Sequence, residues 1–140
     1  TNLRRRLLLC SLLATAMTQL GCGTLKYVVP SSAVAPGADA KVIADVHEKQ
    51  NQTLLEVQVK NLVPPARVSA DAAAYVAWYR RDQNAAWSRI GALAYDDRSR
   101  EGSLTGSVPE LAFYFQISAE PAGSPVAPSS IVMFSQHIHD

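Results

Sequence analysis

Apolar and polar residues alternate with a period of two through much of the chain after residue 39. The alternation is clearest over residues 55–60 (LEVQVK), and it recurs over residues 42–47 and 113–120. Because successive side chains of a β-strand point to opposite faces, these runs predict half-buried strands. The polar segment Gln50-Asn51-Gln52 separates the first two runs and predicts a hairpin turn.

Further apolar runs, separated by turn-forming residues, complete the predicted set of strands. They cover residues 75–79, 87–95, 102–108 and 131–138. Pro64-Pro65 ends the second strand, since proline cannot donate to a ladder, and the Pro/Gly/Ser-rich segment 121–130 predicts a loop. About seven short strands without a convincing helix predict an all-β fold, an immunoglobulin-like antiparallel β-sandwich over residues 40–140. Trp78 is expected near the centre of its core.

The N-terminal segment has a different pattern. Arg4-Arg5-Arg6 precedes an apolar run from Leu7 to Leu20, which as a helix would be about 21 Å long, against about 30 Å of bilayer hydrocarbon. A basic head and a short apolar segment are typical of a secretory signal. We therefore expect residues 1–21 to form a signal helix that directs export. Residues 22–39, which include two prolines, are expected to form a flexible tether, with an edge strand over residues 25–29 as an alternative.

The end of this signal carries a lipidation motif. Leu20-Gly21-Cys22 resembles the lipobox of bacterial lipoproteins, although Gln19 stands where that family usually has leucine. The resemblance implies that Cys22 receives a diacylglyceryl group, becomes the first residue of the mature protein and anchors it to a membrane. Gly23, rather than aspartate, implies transfer to the outer membrane. The resulting localisation is the cell envelope, at the periplasmic face of the outer membrane.

Cysteine usage agrees with lipidation. Cys10 lies inside the signal, so Cys22 would be the only cysteine of the mature chain. A lone thiol in an oxidising compartment is a liability unless it is modified. The alternative is an ordinary signal peptide that is cleaved near residues 14–16 and leaves a soluble protein with a free thiol.

Charge and length narrow the function classes. The chain has 140 residues and a formal charge of +1, and removal of the three signal arginines lowers that charge to −2. A near-neutral surface with interspersed signs argues against a nucleic-acid partner. The mature length suits one domain, and without a disulfide its stability must come from apolar burial.

Three motifs in the second half of the chain are similar to a known domain. They are AYVAWY over residues 74–79, IGAL over residues 90–93 and ISAEPAGSP over residues 117–125, with Pro128 before the last strand. Together they resemble the C-terminal, extracytoplasmic domain of membrane-anchored anti-sigma factors, and this resemblance implies a sandwich. Those regulators also carry a cytoplasmic helical domain and a membrane span, which this sequence does not show. Sigma-factor binding is therefore not expected here.

The C-terminal His137-Ile138-His139-Asp140 is the sharpest candidate for chemistry. Two histidines two positions apart on a strand project from one face, and a carboxylate follows, so a copper, nickel or zinc ion is a possible ligand. The competing explanation is a solvated chain end. Only one further histidine, His47, occurs in the sequence.

Signals of catalysis and of binding surfaces are weaker. No serine lies in a Gly-x-Ser-x-Gly elbow, and the adjacent carboxylates of Asp96-Asp97 would point apart in a solvated turn. Arg80-Arg81 is expected as a charged turn.

Strand alternation favours outward positions for residues such as Tyr79 or Tyr114 and inward ones for Trp78 and Phe113. Exposed aromatic rings would form a binding surface for glycan or protein, whereas most rings are expected in the core.

These observations predict a non-enzymatic, membrane-tethered lipoprotein. No catalytic residue and no cofactor are expected. The sandwich would be displayed for envelope structure or protein–protein contact, with the membrane bound through Cys22 and an envelope protein or glycan as the unidentified partner. The alternative function is a periplasmic metal-binding protein that uses His137, His139 and Asp140.

Overall fold

A computed structural model describes residues 22–140 of the chain, and the predicted signal helix of residues 1–21 lies outside these described residues. Within them the chain forms nine strands and one short helix. In order these are β1 (Cys22–Pro30), β2 (Asp39–His47), β3 (Gln52–Lys60), α1 (Pro65–Val68), β4 (Ala72–Arg80), β5 (Ser88–Ala92), β6 (Ala94–Asp96), β7 (Glu101–Val108), β8 (Phe113–Pro121) and β9 (Val132–Ile138). No helix of this part of the chain has the length and apolarity needed to cross a membrane.

The strands form two antiparallel sheets. One sheet has the order β1-β2-β3-β7-β6 and the other the order β5-β4-β8-β9. In immunoglobulin terms β2-β3-β7-β6 corresponds to A-B-E-D, and β9-β8-β4-β5 to G-F-C-C′. The prediction of an all-β, immunoglobulin-like sandwich is confirmed, and β1 is an additional edge strand.

The core lies between the sheets because one face of each central strand is apolar. On β3 the inward residues Leu55, Val57 and Val59 are buried and their neighbours are exposed, as the alternation predicts. On β8, Phe113, Phe115, Ile117 and Ala119 face the core, but the residues from Gln116 to Glu120 are all buried. β8 is therefore covered on both faces, and its outer face belongs to a second buried region.

Trp78 is buried in this second region and not in the central core. Tyr75 and Ala77 of β4 face the core cluster, so the intervening pleat turns Trp78 to the outer face of its sheet, where it is 0% exposed. Tyr79 packs inward, with its ring centroid 6.1 Å from that of Phe113. The prediction that Trp78 faces the core and Tyr79 faces outward is therefore wrong for both residues.

The single strand predicted for residues 87–95 is divided between the two sheets. β5 pairs with β4 and β6 pairs with β7, while the buried Leu93 between them donates its backbone N–H to the Tyr75 carbonyl at 2.8 Å. Glycines let the chain approach closely at this crossing. A Cβ atom on Gly106 would lie 2.8 Å from Ile90 Cγ2.

The segment predicted as a flexible tether is part of the sandwich. β1 pairs with β2 over all nine of its residues, from Cys22 opposite His47 to Pro30 opposite Asp39. The following loop is attached to β9, because the Ser32 N–H donates to the Met133 carbonyl at 2.9 Å. The apolar residues within 25–29 explain why this segment forms a strand, since Val29 is buried in the core and is 1% exposed.

Two tyrosines fix the connection that leaves β3. The Tyr75 hydroxyl donates to the Val63 carbonyl and the Tyr95 hydroxyl to the Leu62 carbonyl, each at 2.6 Å. Their rings meet edge to face, with centroids 5.7 Å apart. Burial is the largest cause that raises the pKa of both hydroxyls above the ordinary value. The chain just before Pro64-Pro65 is thereby held against both sheets.

Candidate functional site

A row of planar side chains crosses the outer face of the four-stranded sheet. Arg80 of β4 lies opposite Tyr114 of β8, and Tyr114 lies opposite His137 of β9. Trp87, just before β5, adds an indole ring on the far side of Arg80. We call Trp87, Arg80, Tyr114 and His137 the Arg80 ladder.

The members of the Arg80 ladder are in stacking contact. The Arg80 Cζ atom lies 4.4 Å from the centroid of the Trp87 ring and 5.8 Å from that of Tyr114. The rings of Tyr114 and His137 are nearly parallel, at 6°, with centroids 4.3 Å apart. A guanidinium over aromatic faces is stabilised by their negative quadrupoles, so the ladder holds the Arg80 charge in place.

Arg80 has no ionic partner in the part of the chain that the structure describes. Its Nε is enclosed and without a hydrogen-bond acceptor, whereas its other two guanidinium nitrogens are not enclosed. The adjacent Arg81 is different, because its Nε donates to Glu110 at 2.9 Å and this hydrogen bond raises the pKa of Arg81. One arginine of the pair is thus neutralised and the other is left with its charge available.

A groove of about 500 Å³ runs beside the ladder. Its lining includes Arg80, Trp87, Tyr114 and His137, and contains no aspartate or glutamate. Phe115 and Val132 add apolar contacts, and polar uncharged side chains complete the lining, namely Gln83, Gln116, Ser135 and Gln136. We call this space the Arg80 groove. The lining of the groove therefore holds one arginine without an ion pair, and Asp82 and Glu110 line a neighbouring hollow that Arg80 also borders.

Gln116 forms the base of the Arg80 groove. It lies between Trp78 and Ser135 in the register of the sheet and is only 7% exposed. Its side-chain amide has no hydrogen-bond partner among residues 22–140. The amide atoms are not enclosed, so the amide can donate to and accept from a group or water that occupies the groove.

A buried polar chain supports this base from one side. The Trp78 indole N–H donates to the Ser118 hydroxyl at 2.8 Å, and that hydroxyl donates to Glu120 Oε1 at 2.6 Å. The same carboxylate oxygen accepts the Ser129 backbone N–H at 2.6 Å. The β8–β9 loop is therefore fastened to the sheet next to the groove, which limits movement of the groove wall.

The C-terminal residues proposed as metal ligands belong partly to the ladder. His137 is stacked on Tyr114, and the His139 ring lies with its centroid 4.4 Å from that of His137. His139 Nδ1 lies 2.8 Å from the Asp140 carbonyl oxygen, and Tyr27 bonds to the His139 backbone. Among residues 22–140 no group of three histidine, cysteine, aspartate or glutamate side chains is placed to hold a metal. The geometry therefore lacks a third ligand.

Other predicted positions lie apart from the groove. Cys22 is the first residue of β1, on the other sheet. Asp96 is a turn residue whose Oδ1 accepts the backbone N–H groups of Arg98 and Ser99. This is the solvated turn that the sequence predicts.

A larger hollow, of about 700 Å³, lies on the outer face of the five-stranded sheet. It is open and includes Ile43 and the 41%-exposed Leu54. Its two charged residues already have partners, because Asp45 contacts His47 at 3.0 Å and Glu56 accepts a hydrogen bond from the Gln58 amide at 3.2 Å. Both carboxylates of the larger hollow thus have a hydrogen-bonding partner, whereas the Arg80 guanidinium has none, and the Arg80 groove is the better candidate site.

Comparisons with known proteins add no assignment. No family model, no curated protein and no solved structure matches this chain. The resemblances to lipoproteins and to the anti-sigma factor domain stay predictions.

Sequence reasoning found two parts of the site and missed the rest. Tyr114 was placed outward and His137 was singled out, but Arg80 was expected in a turn and Gln116 drew no attention. Strand alternation puts Arg80, Tyr114 and Gln116 on outer faces, so a signal existed. To predict that these residues come together, one also needs to know which strands pair and in what register.

Proposed function

We propose that this protein is a non-enzymatic lipoprotein of the cell envelope that holds a partner molecule in the Arg80 groove. Export and lipidation at Cys22 are supported by the signal pattern and the lipobox-like motif. The sandwich provides the rigid scaffold, and the groove provides the contact surface.

The observation that carries the proposal is the unpaired guanidinium of Arg80. Two aromatic side chains hold it, no carboxylate of residues 22–140 neutralises it, and it lines a groove. A structural arginine usually forms ion pairs or hydrogen bonds with its own chain, as Arg81 does with Glu110. An immobilised, unpaired arginine at a groove is an arrangement that suits recognition of an external group.

The groove favours binding over catalysis. Ser135 and His137 both line it, but no hydrogen bond joins them, and the His137 ring is stacked on Tyr114. A serine nucleophile needs a base within hydrogen-bond reach. The polar groups of the groove are placed to contact a ligand and not to activate one another.

Two measurements test this proposal. Intact mass of the protein extracted from membranes in detergent is expected to show a chain that starts at Cys22 and carries a diacylglyceryl group, which Cys22→Ser abolishes. An unmodified, soluble species would overturn the anchoring.

The groove is tested by photocross-linking in cells. A photoreactive residue at Gln83, in the groove, is expected to give a cross-linked species that Arg80→Gln removes and Arg81→Gln retains. The same probe at Gln58, on the other sheet, is the control. Equal cross-linking at both positions, or none at Gln83, would overturn the role of the groove.

A further inference from the structure

We propose that the ligand of the Arg80 groove is a saccharide that carries a carboxylate, such as a uronic acid unit of an acidic glycan. This inference rests on the proposed function, because it names the chemical class of the partner. Three features of the groove point to that class: its charge, its amides and its small size.

Charge selects the carboxylate. Arg80 is the one cationic side chain with a permanent charge in the lining, and no acidic side chain lines the groove beside it. Arg80 Nε is enclosed, whereas the two terminal guanidinium nitrogens are not and have no hydrogen-bond partner among residues 22–140. A planar fork of N–H donors matches the two oxygens of a carboxylate, which would supply the missing countercharge.

The neutral groups select a sugar. Gln83, Gln116 and Gln136 bring three primary amides into the lining, and Ser135 adds a hydroxyl. Each amide can donate and accept, which suits the vicinal hydroxyl groups of a sugar ring. Gln116 is the most informative of them, because its amide has no partner among residues 22–140 and would gain one from a bound hydroxyl.

The groove is poorly suited to a protein partner. The large hydrophobic residues that residues 22–140 expose are Val28, Val34, Leu54 and Val126, and none of them lines the groove. A stable protein interface buries about 800 Å² on each partner around an apolar or aromatic centre. Here the Tyr114 ring is already in contact with Arg80 and His137, and the space of about 500 Å³ has the scale of a small-molecule site.

Calorimetric titration of the full-length protein in detergent tests the inference. The probe is trigalacturonate, and the matched control ligand is the same trisaccharide with its carboxylates reduced to alcohols. We expect the acidic trisaccharide to bind at least about tenfold more tightly than the neutral one. Arg80→Gln should remove this preference, Arg80→Lys should restore it only in part, and Arg81→Gln should leave it unchanged.

The experiment separates a loss of folding from a loss of ligand binding. Thermal unfolding of each variant shows whether the sandwich is intact, and Gln116→Leu, which keeps the charge of Arg80, should weaken both trisaccharides. Equal binding of acidic and neutral trisaccharides, or tighter binding of a hexaglutamate peptide, would overturn the saccharide assignment. If cross-linking from Gln83 still depended on Arg80 in that case, the proposed function would survive with a different ligand class.

Discussion

At the scale of single residues, position on the pleat decides the role of each aromatic side chain. Tyr75 and Trp78 both belong to β4 and both are 0% exposed. Tyr75 lies in the central core, whereas Trp78 is buried on the opposite face and anchors the polar chain to Ser118 and Glu120. A tryptophan whose indole N–H has a hydrogen-bond acceptor can be buried on the outer face of a sheet as well as in a core.

The Trp78 contact can be tested by a conservative substitution. Trp78→Phe is expected to lower the free energy of unfolding by about 2–3 kcal/mol, because it removes packed volume and the indole hydrogen bond to Ser118. Urea unfolding measures the loss. Trp87→Phe is the matched control and should cost less than about 1 kcal/mol, since Trp87 is only partly buried. Equal losses would contradict the buried role of Trp78.

A second residue-scale prediction concerns alkaline pH. Burial raises the pKa of the Tyr75 hydroxyl above that of an unfolded chain, so the folded state holds this proton more strongly. The associated stability is complete below about pH 10 and falls as the pH rises further, by up to about 1.4 kcal/mol per pH unit for one proton. Chemical denaturation between pH 8 and pH 11 measures this loss.

The matched variant isolates the contribution of Tyr75. Tyr75→Phe should be less stable near pH 8, because the Val63 carbonyl loses its donor, but its stability should decline less above pH 10. Parallel declines in the wild type and the variant would show that Tyr75 does not carry the effect. Some decline is expected to persist, because the pKa of Tyr95 is also raised by burial.

At the scale of elements, β1 and the β5–β6 crossing account for the difference between about seven predicted strands and the nine of residues 22–140. Both depend on contacts that are distant in sequence. β1 is held by β2 and by Tyr27, whose hydroxyl donates to the His139 carbonyl at 2.9 Å. The crossing depends on Gly106, which lets Ile90 lie against β7.

Two adjacent valines distinguish an edge strand from a tether. Val28 is 85% exposed and Val29 is 1% exposed. Val29→Asp should lower the free energy of unfolding by about 3 kcal/mol or more, because it places a carboxylate in the core, whereas Val28→Asp should change it by less than about 1 kcal/mol. Denaturant unfolding of the two variants measures the difference. Small effects at both positions would mean that residues 22–30 are not packed on the sandwich.

At the scale of the whole molecule, the position of Cys22 would determine how the sandwich lies on a membrane. Cys22 pairs with His47 at the start of β1, so a lipid on Cys22 would leave no free chain between anchor and sheet. The 3₁₀ turn Glu48–Gln50 lies at the same end of the sheet, and Lys60 lies at the other end, opposite Asp39. A lipid on Cys22 would therefore hold one end of the five-stranded sheet at the membrane, and the other end would lie about 27 Å away from it.

Depth measurements test this orientation. A nitroxide label at Lys49 should be relaxed by headgroup-attached paramagnetic lipid, whereas a label at Lys60 should not. The experiment uses the lipidated protein in vesicles, and both labelled positions are exposed. Equal relaxation at the two sites would contradict the orientation, and Cys22→Ser should abolish the relaxation of the label at Lys49.

The sequence by itself determined the sandwich class, because strand alternation and turn residues are local signals that survive without knowledge of contacts. It placed β3, β7 and β8 closely, and it placed Tyr114 outward and Phe113 inward correctly. Only the tertiary structure decided which face of β4 lies in the core, that β1 joins a sheet, and that Arg80 meets Trp87 and Tyr114. These depend on pairing and register between strands that are far apart in the chain. A period of two fixes which side chains share a face, but it does not fix which face is covered or what lies opposite.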